Sequence, residues 1–235
     1  MSEAAVVLQA RTGSTRLPGK VLALINGRTV LDHCLTRLAA SRLPVIVATT
    51  TKREDDRVER EARRHGAEVF RGEEDDVLAR FIGAARAFGA RQIIRATADN
   101  PLIDAGGPRR ILELLQRVGA DHVVECGLPV GAAVEAVTLD ALERAHVAAT
   151  DPYDREHVTS YVRRAPGFLA LRAVAPADVR RPGLRLTIDT SEDLDFVRGV
   201  MARFTHDPMP LLSDVIAVAD GLLVRSVARQ RSQGA

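Results

Sequence analysis

Residues 4–20 read AAVVLQARTGSTRLPGK, and the change of character near position 9 decides the fold. Ala4, Ala5, Val6, Val7 and Leu8 form an unbroken apolar run, the pattern of a strand buried on both faces of a parallel sheet. Beyond it, Gly13, Gly19, Ser14, Thr15 and Pro18 predict an irregular loop rather than a helix. The loop carries three cations, Arg11, Arg16 and Lys20. A strand that opens into a glycine-rich, cationic loop at a sheet edge suits phosphate, because freed backbone N–H groups converge on the anion while side chains neutralise it. The chain has 33 Lys plus Arg, yet only Lys20 and Lys52 are lysines. A lysine in this loop therefore marks a place for a compact point charge rather than a planar fork. A Walker loop would need Gly at 14 and Ser or Thr at 21, where the chain has Ser14 and Val21. The GxGxxG dinucleotide fingerprint fails as well, since Thr15 stands at its second glycine.

Outward from the loop, strand and helix patterns alternate. Apolar residues at helical spacing predict a helix over 29–41, a strand follows at 44–49, and a charged helix at 55–65 stops before Gly66. A short strand at 68–71, a helix at 76–88 and a strand at 92–96 continue the series, which implies a parallel sheet with right-handed crossovers. A helix over 107–118 and a strand over 121–125 precede a hairpin-like excursion at about 127–150, with a short strand around 133–137 and a helix from Leu139. Further on come a helix from Asp154, strands at 170–174 and 186–188, and helices from Glu192 and from about Pro210. The expected fold is α/β, a doubly wound and mostly parallel sheet in one domain over residues 1–225, with a polar tail after Ser226.

Composition narrows the function. Aromatics are 3% and Trp is absent, which argues against nucleic-acid binding by stacking. The 33 basic and 31 acidic residues are well mixed, which leaves no case for a DNA or membrane surface. Cys34 and Cys126 form no metal or disulfide framework. With no long apolar run and no leader pattern, a cytoplasmic protein is expected.

Two aspartates stand at strand ends, where open α/β sheets place their ligands. Asp99 follows the 92–96 strand within ATADNPLID (96–104), and Asp189 follows the 186–188 strand within RLTIDTSED (185–193). Either could merely cap a turn; together they can converge on one hard cation, and Mg²⁺ takes one or two carboxylates beside substrate phosphates. A phosphate cradle plus two aspartates reads as a metal-dependent nucleotidyl transfer site. Glu135, Arg155, Glu156 and His157 form a polar patch in an otherwise aliphatic region and are candidates for holding substrate or orienting a nucleophile. Arg71, Asp76 and Arg80 are candidates for reading or closing over a base.

The string QARTGSTRLPGK resembles the nucleotide-binding signature of sugar-activating cytidylyltransferases, which include the CMP-KDO and CMP-acylneuraminate synthetases. The likeness is greatest to the spore coat polysaccharide biosynthesis protein F-like branch. DVLARF (76–81), RATADNPLID (95–104), the Gly131/Glu135 region, REHVTSY (155–161) and RLTIDTSEDL (185–194) resemble that branch in the same order. The resemblance implies a nucleotide-diphosphosugar-transferase-like fold, CTP as donor, Mg²⁺ as cofactor and a homodimer. It places the triphosphate on Arg11 and Lys20, and the metal on Asp99 and Asp189. Leu8, Ala10, Gly13, Ser14 and Arg16 complete the expected nucleotide-binding set. The expected reaction moves CMP from CTP to an oxygen of a sugar acid or related oxyacid, with release of pyrophosphate. The rival readings are another NTP transferred to a sugar phosphate, and a catalytically silent domain that binds CTP or a CMP-sugar.

Overall fold

The computed structural model describes residues 3–233, with side chains through Arg225; the polar tail expected after Ser226 falls outside the fully described part. Strand β1 (Ala4–Gln9) leads through the loop to a small ribbon, β2 (Leu24–Ile25) and β3 (Arg28–Thr29). Helix α1 (Val30–Ala39) follows, started by the Thr29 hydroxyl accepting from the Asp32 N–H. Next come β4 (Val45–Thr50), α2 (Asp56–Arg64), β5 (Glu68–Gly72), α3 (Val77–Phe88) and β6 (Gln92–Thr97). Asp76 caps the start of α3, and Gly89, at φ 71°, ends it in the left-handed conformation.

Strands β5, β4, β1 and β6 lie side by side, all parallel. Beyond them α4 (Gly107–Val118) leads to β7 (His122–Cys126), which pairs antiparallel with β8 (Glu135–Thr138). The hairpin-like excursion is thus built into the sheet, with β8 running antiparallel between β6 and β7. Helices α5 (Leu139–Ala148), α6 (Pro152–Glu156) and α7 (Ser160–Arg164) precede β9 (Ala170–Val174), which closes the edge parallel to β7. Helices α8 (Ser191–Met201) and α9 (Leu212–Gln233) end the order.

The seven-stranded sheet separates two cores because successive side chains of a strand face opposite sides. Val6 and Leu8 point to the core formed with α1, α4, α8 and α9, whereas Ala5 and Val7 point to that formed with α3, α5 and α7.

Two expectations change. The helix expected from Asp154 is two short helices broken at 157–159, where buried Val158 has φ 50°. The break lets the Thr159 hydroxyl reach Glu135 while the Ser160 hydroxyl and Arg164 bind Asp154 from the second helix. The left-handed region costs a β-branched residue roughly 1–2 kcal/mol, which these contacts offset. The segment 186–188 is extended but lies outside the sheet. It runs beside Val130, with the Leu186 N–H donating to the Val130 carbonyl at 2.8 Å, and the Ile188 N–H donates to the Asp99 carbonyl at 2.9 Å.

Candidate active site

The loop after β1 is anchored from outside itself. The Thr12 N–H and hydroxyl both donate to Asp55 Oδ1 at 2.7 Å, and the Thr50 hydroxyl donates to the other oxygen. Burial alone would raise the Asp55 pKa, but these hydrogen bonds hold it below the ordinary carboxylate range. Gly19, at φ 70°, turns the chain so that its N–H reaches the Thr12 carbonyl at 2.9 Å. Gly13 passes close to Glu74, whose carboxylate pairs with Arg11 at 3.2 Å and with Lys52. Any side chain at 13 would put its Cβ 3.0 Å from Glu74 Oε1.

Lys20 is the meeting point of the site. Its Nζ lies 2.8 Å from Asp99 Oδ2, 2.9 Å from Asp189 Oδ1 and 2.8 Å from the Ile188 carbonyl oxygen. The hydrogen bond from Ile188 to Asp99 explains how strand-end aspartates far apart in sequence meet at one cation. Asp99 Oδ1 also accepts from the Thr97 hydroxyl at 2.7 Å. Asp189 is shared further, with Arg16 at 2.9 Å and Arg185 at 2.6 Å. Burial works against the Asp189 charge, yet hydrogen bonds from Lys20 and Arg185 bring its pKa below the usual value. Behind it, hydrogen bonding to Arg185 takes Asp193 down to about 2; its carboxylate also closes a capping box with Thr190 at the start of α8.

A cavity of about 350 Å³ opens between these groups. One wall is the loop, with Arg11, Gly13, Ser14, Thr15, Arg16 and Lys20. Its floor is the C-terminal end of the sheet, with Gln9, Arg95 and Thr97, joined by Asp99 just beyond β6 and Asp189 after the extended segment 186–188; Glu156 and His157 from the end of α6 complete the lining. The oxygens around Lys20 Nζ, two carboxylates and a carbonyl, are a hard donor set already gathered on one cation, which suits Mg²⁺. Among the described residues no group of three or more His, Cys, Asp and Glu side chains is positioned to hold a metal, so a cation here would complete its shell from substrate and water.

This arrangement coincides with a family match. Residues 5–209 match the cytidylyltransferase family. The chain belongs to that family. It is 40% identical over 190 residues to an uncharacterized protein of Methanocaldococcus jannaschii, MJ1063, covering 80% of this chain and 78% of that one. It is 33% identical over 229 residues to the spore coat polysaccharide biosynthesis protein SpsF of Bacillus subtilis, covering 93% and 94%. The solved structure of a cytidylyltransferase from Leptospira borgpetersenii superposes with a TM-score of 0.85 at 31% identity, covering 95% of this chain and 96% of that one. The mostly parallel sheet is therefore that of a nucleotidyltransferase.

In this cytidylyltransferase, Arg11, Gly13, Ser14, Arg16, Lys20, Asp99, Asp189, Glu156 and His157 meet at the cavity. Other residues read from the sequence stand elsewhere. Leu8 and Ala10 are core residues, Ala10 paired through its N–H to the Ala48 carbonyl. Arg71 is bound to Asp56 and Glu59, tying β5 to α2. Asp76 is the cap of α3 and pairs with Arg155, which also reaches His146. Arg80 is buried below the 73–74 turn, donating to the Glu73 and Glu74 carbonyls. Glu135 is largely enclosed, pairs with Arg95 and lies outside the cavity lining. Gln9, Thr15, Arg95 and Thr97 line the cavity without having been singled out; a charge inside the apolar run of β6 was the available signal for Arg95.

Proposed function

We propose that this cytidylyltransferase moves CMP from CTP to an oxygen of a sugar acid or related oxyacid and releases pyrophosphate. The observation that carries the reading is Lys20 gathering Asp99 and Asp189 on the same cavity as Arg11 and Arg16. Arg11, Arg16 and Lys20 hold the triphosphate and neutralise the charge that builds on pyrophosphate as it leaves. The anchored loop keeps these cations in place, so little reorganisation is needed during transfer. Asp99 and Asp189 would hold Mg²⁺, which when bound polarises phosphoryl oxygens and helps align the attacking oxygen with phosphorus. Thr97 fixes the rotamer of Asp99, and Arg185 fixes that of Asp189. Glu156 and His157, in the cavity lining, hydrogen-bond the acceptor.

The test is pyrophosphate release from each of the four NTPs with Mg²⁺, against a panel of keto- and hydroxy-sugar acids and other oxyacids. Release confined to CTP and one acceptor class is expected. Equal release from UTP or GTP with a sugar phosphate would replace the reading, and tight CTP binding without release from any acceptor would favour a silent binder.

A further inference from the structure

Below the cavity floor lies a charged cluster that the transfer chemistry above does not use. Arg95 and Glu135 are opposed in register on β6 and β8, with Arg95 Nη1 3.2 Å from Glu135 Oε1. Glu135 Oε2 is also met by His122 Nε2 at 2.9 Å and by the Thr159 hydroxyl, and Arg163 Nη1 stands 4.0 Å from Oε1. Burial alone would raise the Glu135 pKa; the charge of Arg95 and the hydrogen bond from His122 hold it well below the usual range. One carboxylate thus meets the Arg95 guanidinium directly, with that of the exposed Arg163 at 4.0 Å. Arg95 is the member of this cluster that lines the cavity.

The guanidinium of Arg95 is only partly used. Its Nε is buried with no partner, and among the described residues Nη2 donates to none. Gln9 Oε1, a neighbour on the same floor, is likewise buried and unpartnered. A buried donor left unmatched is costly, and one edge of a guanidinium carries two parallel N–H groups that fit a carboxylate. The loop already offers three cations to a triphosphate, whereas Arg95 shares its cavity with Glu156 and His157, groups that suit sugar hydroxyls.

We propose that Arg95 binds the carboxylate of the acceptor and that Glu135 is its positioning residue, holding Nη1 while the rest of the guanidinium meets substrate. The assignment rests on the cytidylyl-transfer reading and adds to it the residue that selects an acid.

The experiment compares sugar acids with their methyl esters as acceptors under saturating CTP, in the full chain and in Arg95→Met, Arg95→Lys and Glu135→Gln, with CTP binding measured separately by calorimetry. The full chain should favour acids over esters by at least about thirtyfold in kcat/KM. Arg95→Met should raise the acceptor KM by a similar factor, leave CTP affinity within threefold and abolish the preference for acids. Arg95→Lys should recover part of it, and Glu135→Gln should raise the acceptor KM less than Arg95→Met does. A purely structural Arg95 would lower activity on acid and ester alike, so an unchanged acid-to-ester ratio overturns the proposal. It is equally overturned if the loss falls on CTP affinity, if esters serve the full chain as well as acids, or if CTP binds and no acid is accepted. Failure to bind CTP would strike the cytidylyl-transfer reading itself. Should Arg95→Met fail to fold, the ratio in Arg95→Lys decides.

Discussion

The cavity brings together two kinds of cation. At the loop, Lys20 and Arg16 both lean on Asp189, and Arg11 leans on Glu74, so each has a carboxylate partner. At the floor, Arg95 is fixed from below by Glu135, which His122 and Thr159 hold in turn. On the proposed reading the loop cations exchange partners: a triphosphate would draw them from the carboxylates and so free Asp99 and Asp189 for a divalent ion. The floor cation is held more firmly, because Glu135 is largely enclosed and also bound by His122 and Thr159. On that reading one wall trades charges during binding and the other presents a fixed one.

The strongest challenge to this contrast is removal of the exchanged carboxylates. Asp99→Asn combined with Asp189→Asn should reduce pyrophosphate release about a thousandfold, or ~4 kcal/mol of transition-state stabilisation; retention within tenfold would break the exchange picture. The fixed side is tested next through stability. Glu135→Gln leaves the Arg95 guanidinium facing a neutral amide and should cost about 3 kcal/mol in urea unfolding at neutral pH. The folded pKa of Glu135 is depressed, so the stability it supplies is full above the unfolded value near ~4.3 and is lost as pH falls through the folded value. Thermal unfolding of the native chain should therefore be flat above about pH 5 and decline below about pH 4, with a shallower decline in Glu135→Gln. A smaller effect sharpens the exchange idea. Lys20→Met removes the ammonium that competes for Asp99 and Asp189, and Mn²⁺ binding to the protein without nucleotide should tighten about tenfold, near 1.4 kcal/mol, by electron paramagnetic resonance. Unaltered Mn²⁺ binding would show that Lys20 does not hold the carboxylates back. The smallest change is expected at Arg155, which binds Asp76 and His146 away from the cavity. Arg155→Ala should leave the KM for CTP within about twofold, a factor worth ~0.4 kcal/mol.

Legibility in the sequence follows the same division. The loop wall is contiguous, so its glycines and cations could be read as one string, and each aspartate could be found at the end of an apolar run. The alternation of elements gave the parallel half of the sheet because each crossover buries one face locally. Arg95 escaped because its role depends on which strand lies opposite it, and the pairing of β6 with β8 reverses direction. The polar patch at 155–157 was visible, but not that Glu156 and His157 line the cavity while Arg155 pairs with Asp76 and His146, partners that other helices supply. Arg71 and Arg80 stand outside the cavity lining and bind other parts of the chain: a charged residue beside a strand end reads alike whether it meets a ligand or ties two elements together.

The hydrogen bond from Ile188 to the Asp99 carbonyl also bears on how the protein is made. A ribosome releases the loop and Asp99 first, whereas the partner aspartate emerges 189 − 99 = 90 residues later. Until then Lys20 would lack one of its two carboxylates, and on the proposed reading a half-made chain would carry the phosphate loop without the aspartate pair that uses it. Synthesis thus carries its own delay: a chain stopped before residue 189 should release no pyrophosphate however well its sheet has formed, as circular dichroism beside a release assay would report.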